Sequence, residues 1–421
     1  LQDIARKIKT LMPTPLTTPE SVSRDPAPPR PASLYAMFRY AWDAEEFTAS
    51  DAMGATGLTR STTIEAIDTL CELGLVVELP NAREAGDYRK GRPARRFILR
   101  ADAAVLVGVD AGNSHIGVTL TDLRSHPLSQ QRATRALDSD DGPTRQGLLS
   151  GLIDDALTAS NSTREDVLAV CVGVPAPVDR SGRSPRHPNG FWERMNPDLV
   201  DVLSWAPLVR IENDASLAAF AEAEWGAARG CEDYVALLAG DRLGAGVVVD
   251  GHLLRGRHGG VGEMVAFDHV QGVGGADGLG IRAARLAEDA LAATDASASS
   301  SLRALGPGQL DGKTVLEHAH AGDPVARRVV NQVGDILARI VSVLGSMYDP
   351  QRVIISGAIA DGIDEVVAAA RRSLPTDIDL PAPDLIASTL GADVVARGAV
   401  AAAAAQARAQ TLDVWPPRGR R

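Results

Sequence analysis

From residue 104 onward the hydrophobic positions come in short dense runs broken by glycine. The first, "VLVGVDAGNSHIGVTLTDL", is two apolar stretches about a turn that carries Asp110 and Gly112. This spacing predicts a β-hairpin. A helix is expected over Thr144 to Ala159, then the strand "VLAVCVGVP", the strand "LVRIENDA" and the helix "SLAAFAEAEWGAA". The order then restarts with "DYVALLAGDRLGAGVVVDGHL", a second glycine-turn hairpin, followed by helices, the strand "RVIISGAIA" and the strand-helix pair "LIASTLGADVVARGAVAAAAAQA". Two hairpin-led α/β halves predict a duplicated, two-lobed fold with a ligand crevice where the lobes face each other. The last helix is expected to cross back to the first lobe.

Ahead of this region the period is helical. A first helix is read over Leu34 to Ala44. Thr48 and Asp51 form a capping-box pattern for a second, which stops at Thr56-Gly57. Thr59 can cap a third, running to Leu73, with Thr63, Ala66 or Ile67, and Leu70 on one face and Gly74 beyond its end. "LVVEL" and "RRFIL" then pair around the basic stretch "PNAREAGDYRKGRPA". Helix, glycine turn, helix and hairpin make a winged helix-turn-helix. Its third helix presents Arg60, Ser61, Thr62 and Glu65 outward, side chains suited to base edges, and the wing offers Arg92 and Arg95 to phosphates. The alternative is a helical dimerisation module whose basic hairpin is a solvated loop.

Composition sharpens the division. Residues 13–31 hold seven prolines and almost no large apolar side chain, so residues 1–33 read as a disordered Pro-rich arm. The chain begins with Leu, which points to a start upstream or an alternative start codon. Net charge is −11, yet residues 1–100 carry 14 Lys/Arg against 13 Asp/Glu, and all of the acidic excess falls later. Contact with a polyanion therefore belongs to the first hundred residues. The three cysteines, Cys71, Cys171 and Cys231, are too scattered for a disulfide framework or a clustered metal site. No run reads as a membrane span or leader, so a cytoplasmic protein without a membrane partner is expected. The organisation read is residues 34–100 as the winged domain, 101–213 plus 395–421 as lobe 1, and 214–394 as lobe 2.

The segments "GLTRSTTIEAIDTLCELGLVVE", "GRPARRFIL", "GVDAGNSHIGVTLTDL", "VGVPAPVD", "ENDASLAAFAEAEWG", "GAGVVVDGHLLRGRHGGVGE" and "VIISGAIADG", taken in order, resemble the ROK family of sugar kinases, uncharacterised reading frames and transcriptional repressors. The resemblance covers about Leu34 to Ala405 and implies an α/β, two-lobed actin-like ATPase fold preceded by the winged helix-turn-helix. It also locates departures. Family kinases carry a pattern like Asp-x-Gly-Gly-Thr at the first turn; here Asp110 and Gly112 remain, but Asn113 to His115 replace the rest. Where the second turn usually resembles Gly-Thr-Gly-Ile-Gly, this chain has Gly240, Asp241, Arg242, Leu243 and Gly244. A carboxylate there repels nucleotide phosphates and Arg242 fills their space; the other reading is that Arg242 itself clamps a phosphate. The family's zinc loop follows a His and is rich in Cys. Ala266 stands at the His position here and glycines replace the cysteines, so no metal is expected and His269 reads as a loop residue.

The sugar positions survive. Asn213 and Asp214 match the family's hydroxyl-binding amide and catalytic base, Glu263 matches its sugar carboxylate, and Asn189 in "HPNGFW" can line a saccharide site. Asn213 or Asp214 can equally cap a helix, and Trp192 can be plain core. The resemblance thus implies a sugar-responsive regulator, with no catalytic residue and no cofactor, whose partners are operator DNA, a sugar or sugar derivative, and itself as a homodimer or homotetramer. The alternative is an active ATP-dependent sugar kinase with an ancillary DNA-binding domain.

Overall fold

The computed structural model describes residues 30–80, 94–134, 141–293, 300–306, 308–357, 362–375 and 380–415. The expected arm, up to residue 29, and the wing tip with Arg92 lie outside the described residues. Helices α1 (Ala32–Asp43), α2 (Ala49–Thr56) and α3 (Arg60–Glu72) come first. The Thr48 hydroxyl accepts from the Asp51 amide while Asp51 accepts from the Thr48 amide, so the expected capping box starts α2. Gly57, at φ 69°, ends it in the left-handed conformation. Thr59 caps α3 through the Thr62 amide, and α3 buries Thr63, Ala66, Ile67 and Leu70. Strand β2 (Val76–Glu78) pairs antiparallel with β3 (Arg96–Leu99), and β1 (Phe47–Thr48) takes the other edge of β3. At two residues, β1 is too short to leave an alternating pattern.

The first large sheet has the order β6-β5-β4-β7-β8. Its members are β4 (Val105–Ala111), β5 (His115–Thr121), β6 (Pro127–Thr134), β7 (Val167–Val174) and β8 (Leu208–Asn213), with β4, β7 and β8 parallel. Both central parallel strands are buried at every position, as a sheet covered on two faces requires. Val107, Val109, Val170 and Val172 pack toward Leu149 and Ile153 of α4 (Gly142–Ala159). The opposite face, with Leu106, Ala169 and Cys171, joins the core of the N-terminal domain. Short helices α5 (Phe191–Met195) and α6 (Leu199–Val202) precede β8, and α7 (Asp214–Trp225) follows it directly.

The second sheet has the order β11-β10-β9-β12-β13. It comprises β9 (Tyr234–Ala239), β10 (Leu243–Val249), β11 (His252–Leu253), β12 (Arg352–Ser356) and β13 (Asp384–Ala387). One face is covered by α8 (Leu279–Ala293), α9 (Gly312–His320), α10 (Pro324–Tyr348) and α11 (Asp364–Ser373). Helix α10 is long and apolar enough to cross a bilayer by length and composition alone; here Val329, Val333, Leu337, Val341 and Leu344 are buried in this core.

The last helix, α12 (Val394–Val414), crosses back to the first sheet and packs on β4, β7 and α7. Helix α7 therefore lies between β10 and α12. A Cβ on Gly246 would sit 2.3 Å from the Ala215 carbonyl oxygen, and one on Gly398 would sit 1.9 Å from that of Leu217. At its far end α12 meets the N-terminal domain: the Trp415 indole donates to the Leu73 carbonyl at 3.0 Å, Arg408 pairs with Asp43, and the Tyr35 hydroxyl donates to Asp413. An ion cluster also joins the two sheets. Buried Glu212 of β8 accepts from Arg210 at 2.7 Å and from Arg255, just past β11, at 2.6 Å. Removing one partner of such a pair typically costs about 3–5 kcal/mol.

The Gly398 contact gives a test in which two effects oppose each other. Alanine gains about 1 kcal/mol over glycine from helix propensity, but overpacking against backbone costs about 1–3 kcal/mol. Gly398→Ala is expected to lower the urea midpoint of unfolding; an unchanged or raised midpoint means that α7 yields without cost.

Candidate functional site

The cleft is built at the carboxyl ends of the parallel strands, where open α/β sheets bind ligands. Asn213 ends β8 and caps α7: its Oδ1 accepts from the Ser216 amide at 3.1 Å and its Nδ2 donates to the Ala176 carbonyl at 3.2 Å. Both its polar atoms thus have structural partners. Asp214 is the first residue of α7, half-buried, and its Oδ1 accepts from the Ala215 amide at 2.7 Å. Burial, helped by the carboxylates of Asp110 and Glu263 and opposed by the Ala215 amide, pushes its carboxyl up to about 7. Asp110, Asp214 and Glu263 are therefore brought together. Burial also raises Glu263, against the opposing charges of Arg242 and His187.

Glu263 reaches the cleft because glycines carry its loop across both lobes. A Cβ on Gly259 would lie 2.1 Å from the Val178 carbonyl oxygen, and one on Gly262 would lie 1.8 Å from that of Ala245. His187 stands out beyond the residues singled out from sequence. Its ring packs edge-on against Trp192 at 4.5 Å, and its Nδ1 bonds the Oδ1 of Asn189. Asn189 is exposed, and the same oxygen accepts from the Phe191 amide, so here it orients His187 and its own loop.

Both glycine turns are occupied by protein. At the first, the His115 Nε2 bonds Asp110 Oδ2 at 2.9 Å, and the imidazole lies so near Gly112 that a Cβ there would be 2.7 Å from it. Behind the turn, the buried Arg145 guanidinium donates to the carbonyls of Ala111, Gly112 and Met195. At the second, Asp241 and Arg242 are exposed. The amides of Leu243 and Ala245 go to the carbonyls of Ala276 and Gly262 at 2.8 and 3.0 Å, and Gly244 bridges to Glu263.

The residues of the glycine loop do not fit a zinc ion. Asp277 pairs with Arg285 at 2.9 Å, and among the described residues no three His, Cys, Asp or Glu side chains gather. The buried Arg282 guanidinium holds the loop instead, donating to the carbonyls of Val273, Gly275 and Asp277.

In the N-terminal domain, Arg60, Ser61 and Glu65 are exposed on α3 and Thr62 is half-buried, its hydroxyl 2.9 Å from that of Thr59. Ile64, exposed between them at 36%, was not singled out from sequence. Arg95 lies against its own domain, bonding Glu78 at 2.8 Å and Asp68 at 3.3 Å.

A three-helix module with a small antiparallel sheet, two five-stranded lobes and a carboxylate cleft between them define a class, and comparison identifies it. Residues 106–406 match the ROK family, and the chain belongs to that family. The xylose repressor of Bacillus subtilis (strain 168) is 27% identical over 209 residues, 50% of this chain and 53% of that protein, so the match spans about half of that relative. The DNA-binding transcriptional repressor Mlc of Escherichia coli (strain K12) is 26% identical over 70% of this chain and 73% of its own. The glucokinase of Thermotoga maritima is 29% identical over 70% of this chain and 95% of its own. A solved ROK family transcriptional regulator, a homolog of the E. coli Mlc protein, superposes with a TM-score of 0.70 at 20% identity over 91% of this chain and 98% of that one. The fold is therefore the ROK actin-like α/β fold preceded by a helical N-terminal domain. The family's repressors and kinases are both represented among the relatives.

The raised Asp214 pKa sets a pH signature. Its folded value, about 7, lies above the ordinary 3.8, so folding takes up a proton between these values. Stability from the neutral acid is present at low pH and lost as pH rises through about 7. Asp214→Asn mimics the neutral form. The variant is expected to raise Tm over wild type clearly more at pH 8 than at pH 5, because the loss accrues progressively between 3.8 and about 7; an equal difference at both would contradict the raised value.

Proposed function

We propose that this chain is a sugar-responsive transcriptional regulator that binds operator DNA through residues 34–100 and senses a sugar in a kinase-like module that has lost phosphoryl transfer. The observation that carries the reading is His115, bonded to Asp110 and seated on Gly112 where a nucleotide's phosphates would need the backbone. Asp241 and Arg242 add a repelling carboxylate and bulk at the second turn. The hydroxyl-binding side is intact: Asp214 and Glu263 offer acceptors, and Asn213 has a second Nδ2 hydrogen to give. A sugar bound there draws the lobes together across α7. The shift passes along α12 to Leu73 and Asp43 of the winged domain, and in a homodimer it alters the spacing of the two α3 helices. DNA affinity changes only as far as the open and closed forms differ in it.

One observation favours the second reading, an active sugar kinase. A carboxyl near pKa 7 is poised to act as a general base toward an attacking hydroxyl. The same experiment decides between them. A binding sequence is selected from random DNA with the full chain, then titrated with and without a panel of sugars, while ADP release is followed in parallel. A DNA complex whose affinity responds to one sugar, with no ADP above background, is expected. ADP release that disappears in Asp214→Asn would establish the kinase instead.

Two substitutions sharpen the outcome. Arg60→Ala is expected to cost about 1–3 kcal/mol of DNA affinity if the side chain reads a base edge. Glu263→Gln is expected to raise the sugar concentration needed for the response about tenfold, because a hydrogen bond to a charged group is worth about 1.5–3 kcal/mol. DNA binding without sugar should be unchanged in that variant. A response at the wild-type concentration would remove Glu263 from the site.

A further inference from the structure

A groove of about 700 Å3 runs along β5 and β6 from Asp110 toward the winged domain, and the sugar reading makes no use of it. Its volume is that of a small-molecule site. Gly117, Thr119 and Thr121 of β5 line it from below, α12 lines it with Ala396, Arg397 and Val400, and Trp225 lies at the end of α7. The polar lining is dominated by Arg124, Arg132 and Arg397. Of the acidic residues there, Asp110 is bonded by His115 and Asp393 lies 4.0 Å from Arg132, which leaves Glu224 against two guanidinium groups, those of Arg124 and Arg397.

Three features point to a ligand. Arg397 makes no hydrogen bond or ion pair among the described residues. Arg124 bonds through Nη2 alone, donating to the Ala41 and Ala44 carbonyls at the end of α1, at 3.5 and 2.5 Å. Its turn is rigidly built, since Asp122 accepts from the amides of Arg124 and His126 at 2.8 and 2.9 Å. Thr121 is 1% exposed and its hydroxyl has no partner among the described residues. A buried hydroxyl left unpaired costs about 1–3 kcal/mol, and native proteins seldom keep one without a water or ligand to take it. Open guanidinium donors beside a hydroxyl are the donor set for an oxyanion, and the planar fork matches phosphate.

We propose that this groove binds a small phosphate-bearing ligand, held by Arg397 and Arg124, and that Arg124 passes its occupancy to α1. The site uses none of Asn213, Asp214 and Glu263, so it stands apart from the sugar reading and from whether the winged domain reads DNA. The ligand need not enter the sugar cleft. Sharing Arg124 with an anion weakens its hold on the Ala41 and Ala44 carbonyls.

The test titrates inorganic pyrophosphate into the full chain at constant ionic strength, by calorimetry and by tryptophan emission. Saturable binding of one anion per chain is expected, weakened at least tenfold in Arg397→Gln and in Thr121→Val, and within twofold of wild type in Asp214→Asn and Arg242→Gln. No binding, or binding lost in Arg242→Gln and kept in both groove variants, overturns the site. For the coupling, amide hydrogen exchange over residues 40–46 is followed with and without saturating pyrophosphate. Faster exchange with the anion in wild type, and no change in Arg124→Lys or Arg124→Gln, is expected. Unaltered exchange in wild type overturns the link to α1.

Discussion

The structure depends on how closely α7 is held between two backbones. A helix normally keeps its neighbours about 8–10 Å away from its axis, at a distance set by interposed side chains. Here Gly246 on one side and Gly398 on the other remove those side chains, and the carbonyls of Ala215 and Leu217 lie directly against β10 and α12. Three elements from distant parts of the chain thus become one unit. Because α7 starts at Asn213-Asp214, that unit also fixes the polar end of the cleft. A change in how the lobes face each other must move α7, and α7 cannot move without α12.

Within the cleft the balance of terms is electrostatic. The N-terminus of α7 favours negative charge by about 0.3–1 kcal/mol, yet Asp214 is driven toward its neutral form because burial and two nearby carboxylates outweigh that help. In that form the carboxyl can donate to a ligand hydroxyl as well as accept from one. The basic side chains nearby are allotted elsewhere: His115 to Asp110, and Arg242 and His187 toward Glu263. Two further cations are spent on backbone. Arg145 and Arg282 each gather several carbonyl oxygens, so one guanidinium anchors the first turn and the other organises the glycine loop.

How much of this could be read from the sequence follows from where the information sits. Local signals were legible: Thr48 with Asp51, Thr59 before α3, and the buried runs of β4, β7, β9 and β12 each state their structure within a few residues. The return of the last helix, α12, to the first lobe was also expected, and it packs on β4 and β7. Strand β6, "PLSQQRAT", was not, because none of its residues is buried, so it carries no apolar alternation. At the site, residue type picked out Asp110, Asp214 and Glu263, but not what surrounds them. Whether His115 turns onto Gly112 depends on side-chain direction across a hairpin. Arg145 and Arg282 look like ordinary surface residues of amphipathic helices until their carbonyl partners, up to 50 positions away, are placed. Arg95, just before β3, is held by Asp68 and Glu78 of other elements, which its place in a basic run does not reveal.

Helix α12 has one more property, which is mechanical. Its 21 residues make a rod about 31 Å long at about 1.5 Å per residue, with one end beside the cleft and the other clasped by Leu73 and Asp43. Swivelled by about 6° at the cleft, a rod of that length sweeps its tip through about 3 Å, close to the rise of a single base pair, about 3.4 Å. In the regulator proposed above, angular displacements too small to disturb a packed core would thereby be geared up to the pitch at which a double helix distinguishes one register from the next.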